Sequence, residues 1–256
     1  MKFSPTRRQV LATGIVLAGG TLAAGAAGII AALNSSTPAP VPAPKINMPQ
    51  KIKDSSRPKD PSQRNWNELL ARNSETIAWL EIGGTNISTA IVHPANDTPN
   101  DFYLDHDLDR NHSIEGTPYL DMRANPDERH LLLFGHRILA NPSVQFGPLT
   151  NIFEPEVFQT IGEATWDTPS GITHFKPFAG MRVHETYETI QNFELTDQAM
   201  LSAWLKELQH DAQAVSAEAD SLLKTAQTVI SICTCTGLDI GGEYRALAIF
   251  VAPELV

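Results

Sequence analysis

The chain has 256 residues, of which 42% are hydrophobic and 19% charged, with a formal net charge of −10 and two cysteines. That length holds one or two domains, and the acidic balance excludes broad nucleic-acid binding, which needs basic surface to displace counterions. Two thiols are too few for a disulfide framework or a four-thiolate zinc site, so the pair has to be read locally.

The N-terminus "MKFSPTRRQ" carries Lys2, Arg7 and Arg8, ahead of 24 uncharged residues at 10–33. A helix needs about 20 apolar residues to span a bilayer, whereas a cleaved signal has an apolar region of about 7–15. Residues 1–33 are therefore expected to be a signal or single-pass membrane anchor. Its basic side would lie in the cytoplasm and the rest of the chain outside. "TRRQVL" also resembles a twin-arginine export signal, so a cleaved segment stays open. Either route places the remainder outside the cytoplasm. Residues 34–64 are rich in proline and poor in large apolar side chains, and read as a semi-extended spacer.

The folded domain is expected over 65–256. "NWNELLARNSETIAWLEI" opens it, with Trp66, Leu69 and Leu70 on one helical face, then Trp79, Leu80 and Ile82 in a first strand. Short apolar runs then alternate with turn signals: "NISTAIVHP", "GTPYLDM", "RHLLLFGH", "ITHFKPFAGMRVHETYETIQNF", "TVISICTC" and "YRALAIFVA". Many short strands with few long helices predict a mainly β antiparallel barrel or sandwich. Between the last strands, "LTDQAMLSAWLKELQHDA" predicts an amphipathic helix near 196–210. Thr196 is expected to cap it, with Met200, Leu201, Trp204, Leu205 and Leu208 as one core-facing stripe.

Both cysteines lie in "TVISICTC". Alternate residues of a strand share a face, so Ser231, Cys233 and Cys235 point opposite to Ile230 and Ile232. The nine residues "TGLDIGGEY" then separate Cys235 from Arg245, and the paired glycines 241 and 242 suit a hairpin reversal. Such a hairpin sets Cys235 beside Arg245, where a guanidinium favours a thiolate and can bind a developing oxyanion. Among eight histidines, His136 ends the apolar strand "HLLLFGH" directly after Gly135. That placement suits a cleft, with the glycine admitting the close approach of another backbone. Taken singly, each residue also has a plain reading, as buried packing, surface histidine or solvated charge.

Together with their flanks, these residues resemble the sortase transpeptidases. "SICTC" approximates that family's T-L-x-T-C strand end, Arg245 falls on the next strand, and "LLLFGHR" carries the histidine after a short strand and a glycine. "IAWLEIGGTNISTAIVH", "FYLDHDL" and "GTPYLDMR" resemble its early segments, so the likeness covers essentially all of 65–256. "FGPLTNIFEPEVF" and the helix before the cysteine strand are most similar to class B. The chain departs from the family at Arg137, where class B commonly has asparagine, and at Ser231, Ile232, Cys233 and Thr236.

The resemblance implies a closed sortase-type β-barrel with a few flanking helices, among them an N-terminal helix and one inserted before the cysteine strand. It implies Cys235 as nucleophile, Arg245 as oxyanion stabiliser and His136 as general acid and base. Thr234, Cys233 and Ser231 would line the substrate groove. The implied partners are a C-terminal sorting-signal peptide of secreted proteins and an amine of the cell wall or of a pilin subunit. No metal and no organic cofactor is called for. A Cys233–Cys235 disulfide is geometrically marginal, because an extended strand holds the two α-carbons about 6.5–7 Å apart. Two other readings stay open: an L,D-transpeptidase-like cysteine enzyme, and a non-catalytic anchored binding domain on a sortase-like barrel. A C-x-C metal site lacks further ligands nearby in sequence.

Overall fold

A computed structural model describes residues 62–236 and 242–254. The expected anchor at 10–33, the spacer up to residue 61 and most of the turn before Arg245 lie outside the described residues. Among those described, no helix is long and apolar enough to cross a membrane.

The first helix, α1 (Trp66–Arg72), starts where the Asn65 side chain accepts the Glu68 amide, and it buries Trp66. Strands β1 (Thr76–Ile82), β2 (Ser88–Val92), β3 (Tyr119–Leu120) and β4 (His130–Phe134) follow. Then come a short helix α2 (Pro155–Phe158) and the strands β5 (Ala164–Thr168) and β6 (Gly171–His184). Helix α3 (Gln198–Asp211), the two-residue β7 (Ala214–Val215) and a second short helix, α4 (Ala219–Thr225), precede the long strands β8 (Ala226–Cys235) and β9 (Tyr244–Pro253). The sheet runs β5-β1-β2-β3-β4-β8-β9-β6, and pairing of β5 with β6 closes it into an eight-stranded barrel with β7 added beside β6. Closure leaves those eight strands without an open edge. The expected closed β-barrel with flanking helices is the architecture found.

Period-two alternation builds two cores from the same strands. Leu131, Leu133, Ile230, Ile232, Ala246, Ala248 and Phe250 face the barrel interior. Leu132, Val229, Cys233, Leu247, Ile249 and Val251 face outward, under a layer made by α3 and α4. From α3, Leu201, Trp204, Leu205 and Leu208 are buried, each burial contributing about 1.5–3 kcal/mol. Two helix expectations are corrected. Asp197, not Thr196, caps α3 by accepting the Met200 amide at 2.8 Å, a carboxylate also being favoured at the positive end of the helix dipole. Met200 is 42% exposed and lies off the buried stripe, in the first turn of a helix that starts at Gln198.

A polar link crosses this outer core. His130, 2% exposed, sits against Trp204 with ring centroids 4.5 Å apart. Its Nδ1 donates to the Asn192 carbonyl at 2.9 Å, which leaves Nε2 to accept from the Ser231 hydroxyl at 2.9 Å. Burial pushes the pKa of this ring down to about 4, against smaller opposing effects of the Asn192 carbonyl and Asp121. From about pH 6.5 down to about 4, the unfolded chain therefore binds a proton that the folded chain refuses, and stability falls as pH falls. This group alone should remove about 2 kcal/mol by pH 5. Urea denaturation at pH 7 and pH 5 checks this: His130→Gln should lower stability at pH 7 yet flatten the loss between the two, whereas an unchanged slope would exclude His130 as its source.

Candidate active site

One end of the barrel gathers the C-terminal ends of β4, β6 and β8 with the start of β9. β8 pairs antiparallel with β9, in a register that sets Cys235 directly opposite Arg245, as the hairpin reading expects. On its other side β8 pairs in parallel with β4, from His130↔Val229 to Phe134↔Cys233, and the Gly135 amide still donates to the Cys233 carbonyl at 3.3 Å. The ladder ends there, and His136 follows two residues beyond Phe134, at the same end of the barrel as Cys235. Parity puts Cys235 and Arg245 on one face: Cys233 on β8 and Leu247 on β9 pack outward with Leu132 and Phe134 of β4, and Cys235 and Arg245 continue the first two series.

Each of the three is held differently. Arg245 is only 5% exposed. Its guanidinium donates to the Tyr244 carbonyl at 2.9 Å, to the Gly242 carbonyl at 2.5 Å and to Glu185 Oε2 at 3.1 Å. Glu185 follows β6, whose pairing with β9 places Val183 opposite Arg245. A buried cation needs such a partner, because leaving it unpaired costs several kcal/mol.

His136 is half-buried, and its Nε2 donates to the Leu104 carbonyl at 2.7 Å. A neutral ring so bonded keeps its lone pair on Nδ1. The His136 carbonyl accepts the Phe146 amide at 3.1 Å, and Arg137 donates to the Thr236 carbonyl at 2.8 Å, tying the ends of β4 and β8 together. The close approach expected at Gly135 is made by a side chain rather than a backbone: a Cβ there would lie 2.5 Å from the buried ring of Phe146. Arg137 also lines a pocket of about 360 Å³ together with Ile138, Leu139, Pro142, Pro148 and Val157.

The two thiols are free but differ in setting. Cys235 is partly exposed at the strand end, whereas Cys233 is 3% exposed within the outer core. Burial pushes the Cys233 thiol up to about 12, more than the nearby Arg245 charge lowers it, so Cys233 stays protonated at neutral pH. The other expected groove residues lie inside the fold: Ser231 is fully buried on His130, and Thr234, 3% exposed, has the parity of the barrel interior. Sequence reasoning missed Glu185 and Phe146, which reach the site from 60 residues before Arg245 and ten after His136. Only Phe146 carried a signal, within the "FGPL" segment.

Native protein at neutral pH should therefore take up a single equivalent of a thiol reagent, on Cys235, with Cys233 reacting only after denaturation. Peptide mapping by mass spectrometry checks this, and modification of Cys233 in the folded protein would contradict its burial.

No protein-family model matches the chain, and no curated protein matches it by sequence. Solved structures do resemble it. Sortase B of Clostridium perfringens is 18% identical with a TM-score of 0.63, the match covering 73% of this chain and 98% of that one. Sortase B of Staphylococcus aureus is 16% identical with a TM-score of 0.62, over 75% and 87% of the two chains. Sortase B of Bacillus anthracis is 19% identical with a TM-score of 0.61, over 77% and 90%. At such identities the likeness is one of architecture, and the chain has the fold of the class B sortases.

Proposed function

We propose that this chain is an extracytoplasmic cysteine transpeptidase of the sortase type, which cleaves a sorting signal in secreted proteins and joins them to an amine. The observation that carries the reading is the register of β8 and β9, which pairs Cys235 with Arg245, while β4 runs in parallel beside β8 up to Phe134↔Cys233, two residues before His136. The fold supports it. A Staphylococcus aureus sortase B has been solved with its substrate, and sortase B has also been solved with triglycine, an amine-bearing peptide.

In this mechanism the Cys235 thiolate attacks a backbone carbonyl of the bound peptide and forms a C–S bond. Negative charge gathers on the carbonyl oxygen, where Arg245, oriented by Glu185, stabilises it. The C–N bond breaks as protonated His136 gives its proton to the leaving amine. An acceptor amine then attacks the thioester and loses its proton to His136, and the departing thiolate regenerates the enzyme. Cys233, protonated and enclosed, serves as packing beneath the reacting sulfur. Residues 1–33 would hold the domain at the membrane, with the acceptor drawn from the cell wall or from a pilin-like subunit.

Cys235→Ala should abolish peptide cleavage and the thioacyl adduct, while Cys233→Ser should retain turnover. Arg245→Lys and His136→Ala should each lose about a hundred- to a thousandfold in rate, the scale of a lost oxyanion donor at roughly 2.7–4 kcal/mol. Mass spectrometry of protein trapped with candidate peptides reads the adduct directly. Substrate-derived mass on Cys233, or full activity in Cys235→Ala, would sink the reading. Separately, full-length protein should fractionate with membranes, and external protease should release a fragment that starts within 34–64. Recovery of only a soluble species lacking 1–33 would identify a cleaved signal instead.

A further inference from the structure

The carbonyl that receives His136 belongs to a loop with chemistry of its own. Residues 105–113 fold back as a small hairpin: the Ser113 amide donates to the Asp105 carbonyl at 2.8 Å, His106 and His112 form an antiparallel bridge, and the Asp107 amide donates to Asn111 at 2.8 Å. Facing residues of such a bridge project their side chains to the same side. One ligand atom from each of Asp105, His106 and His112 lies within 4.8 Å of the other two.

The hairpin is braced from below. The ring of Phe102 stacks on His106 at 3.9 Å between centroids, and Nδ1 of His106 lies 2.8 Å from the Phe102 carbonyl oxygen. The next residue, Tyr103, is buried and bonds Glu75 and Asn73, while Arg110 pairs with Glu75 at 2.7 Å. Asp105 already spans both rings, with Oδ1 2.7 Å from His106 and Oδ2 3.7 Å from His112.

We propose that Asp105, His106 and His112 form a site for a zinc-class divalent transition metal, on the loop that positions His136. Two imidazoles and one carboxylate suit such an ion, with water in its open position. Tetrahedral ligands about 2.0–2.2 Å from zinc stand roughly 3.3–3.6 Å apart. The side chain of His112, 77% exposed, has the freedom to close that difference, whereas His106 is fixed by its stack and by donation from Nδ1 to the Phe102 carbonyl, so it would ligate through Nε2. The ion would lie one residue from Leu104, whose carbonyl accepts from His136.

The full chain in detergent is titrated with Zn²⁺, and with Co²⁺ followed by its visible absorption, in a Cys233→Ser/Cys235→Ala background that removes thiol ligands. One-to-one binding is expected, weakened in Asp105→Asn and in His112→Ala by at least the roughly 10–100-fold that loss of even an outer-shell partner costs. His112 is exposed, so its removal does not endanger the fold. Absence of saturable binding, binding equally tight in His112→Ala, or binding seen only when the thiols are restored would each overturn the site. None of these readouts depends on peptide cleavage, so failure here and failure of the transpeptidase reading are distinguishable.

Discussion

Strand β8 is hydrogen-bonded in parallel to β4 on one side and antiparallel to β9 on the other, and the end of the barrel that carries the candidate site depends on these two ladders. A slip of one residue in either would turn the side chains of one strand to the opposite face. The buried alternation forbids it: Ile230 and Ile232 belong to the barrel interior, Val229 and Cys233 to the helix-covered exterior. Positioning of Cys235 is therefore a by-product of two hydrophobic cores. The site itself adds a second set of restraints around the two other residues. Glu185 and two backbone carbonyls hold Arg245, and Phe146, Leu104 and Arg137 hold the end of β4.

The same geometry separates two chemically identical side chains. Cys233 and Cys235 share a face and lie near the same guanidinium, yet one strand step carries the thiol from enclosed core to strand end. For Cys233, desolvation outweighs the nearby positive charge. A cation activates a thiol only where water, or the cation itself, can receive the charge that develops. Burial thus sets the two thiols apart.

Much of this was legible in the sequence because it is local or periodic. The strand alternation around Ile230 and Ile232, the hairpin spacing from Cys235 to Arg245 and the helix stripe through Leu201, Trp204, Leu205 and Leu208 all depend on near neighbours. Other features were not legible, since they depend on which distant segment arrives. Glu185 reaches Arg245 from the end of β6, and Phe146 fills the space that makes Gly135 a glycine. Ser231 was placed in the groove by the resemblance, but the face it shares with Cys233 is covered, and Ser231 is buried against His130. The cap fell to Asp197 rather than Thr196 because the helix begins at Gln198, one residue later than a Thr196 cap requires. Helix α4 was too short to announce itself by periodicity.

The pairing of β4 with β8 joins residues about a hundred positions apart; His130 and Ser231, for instance, are separated by 101. Contacts of that span form late, because the entropy of closing so long a loop must be met before the contacts stabilise anything. The hairpin of β8 and β9 is local by comparison and can bring Cys235 to Arg245 early. His136 joins them only when β4 docks in parallel alongside. A chain folding in this order would thus carry the Cys235 thiol and the Arg245 cation together before His136 reaches them. On the proposed reading, the reactive centre would be complete only as the barrel closes, so that catalytic competence and the finished fold would arrive in the same step.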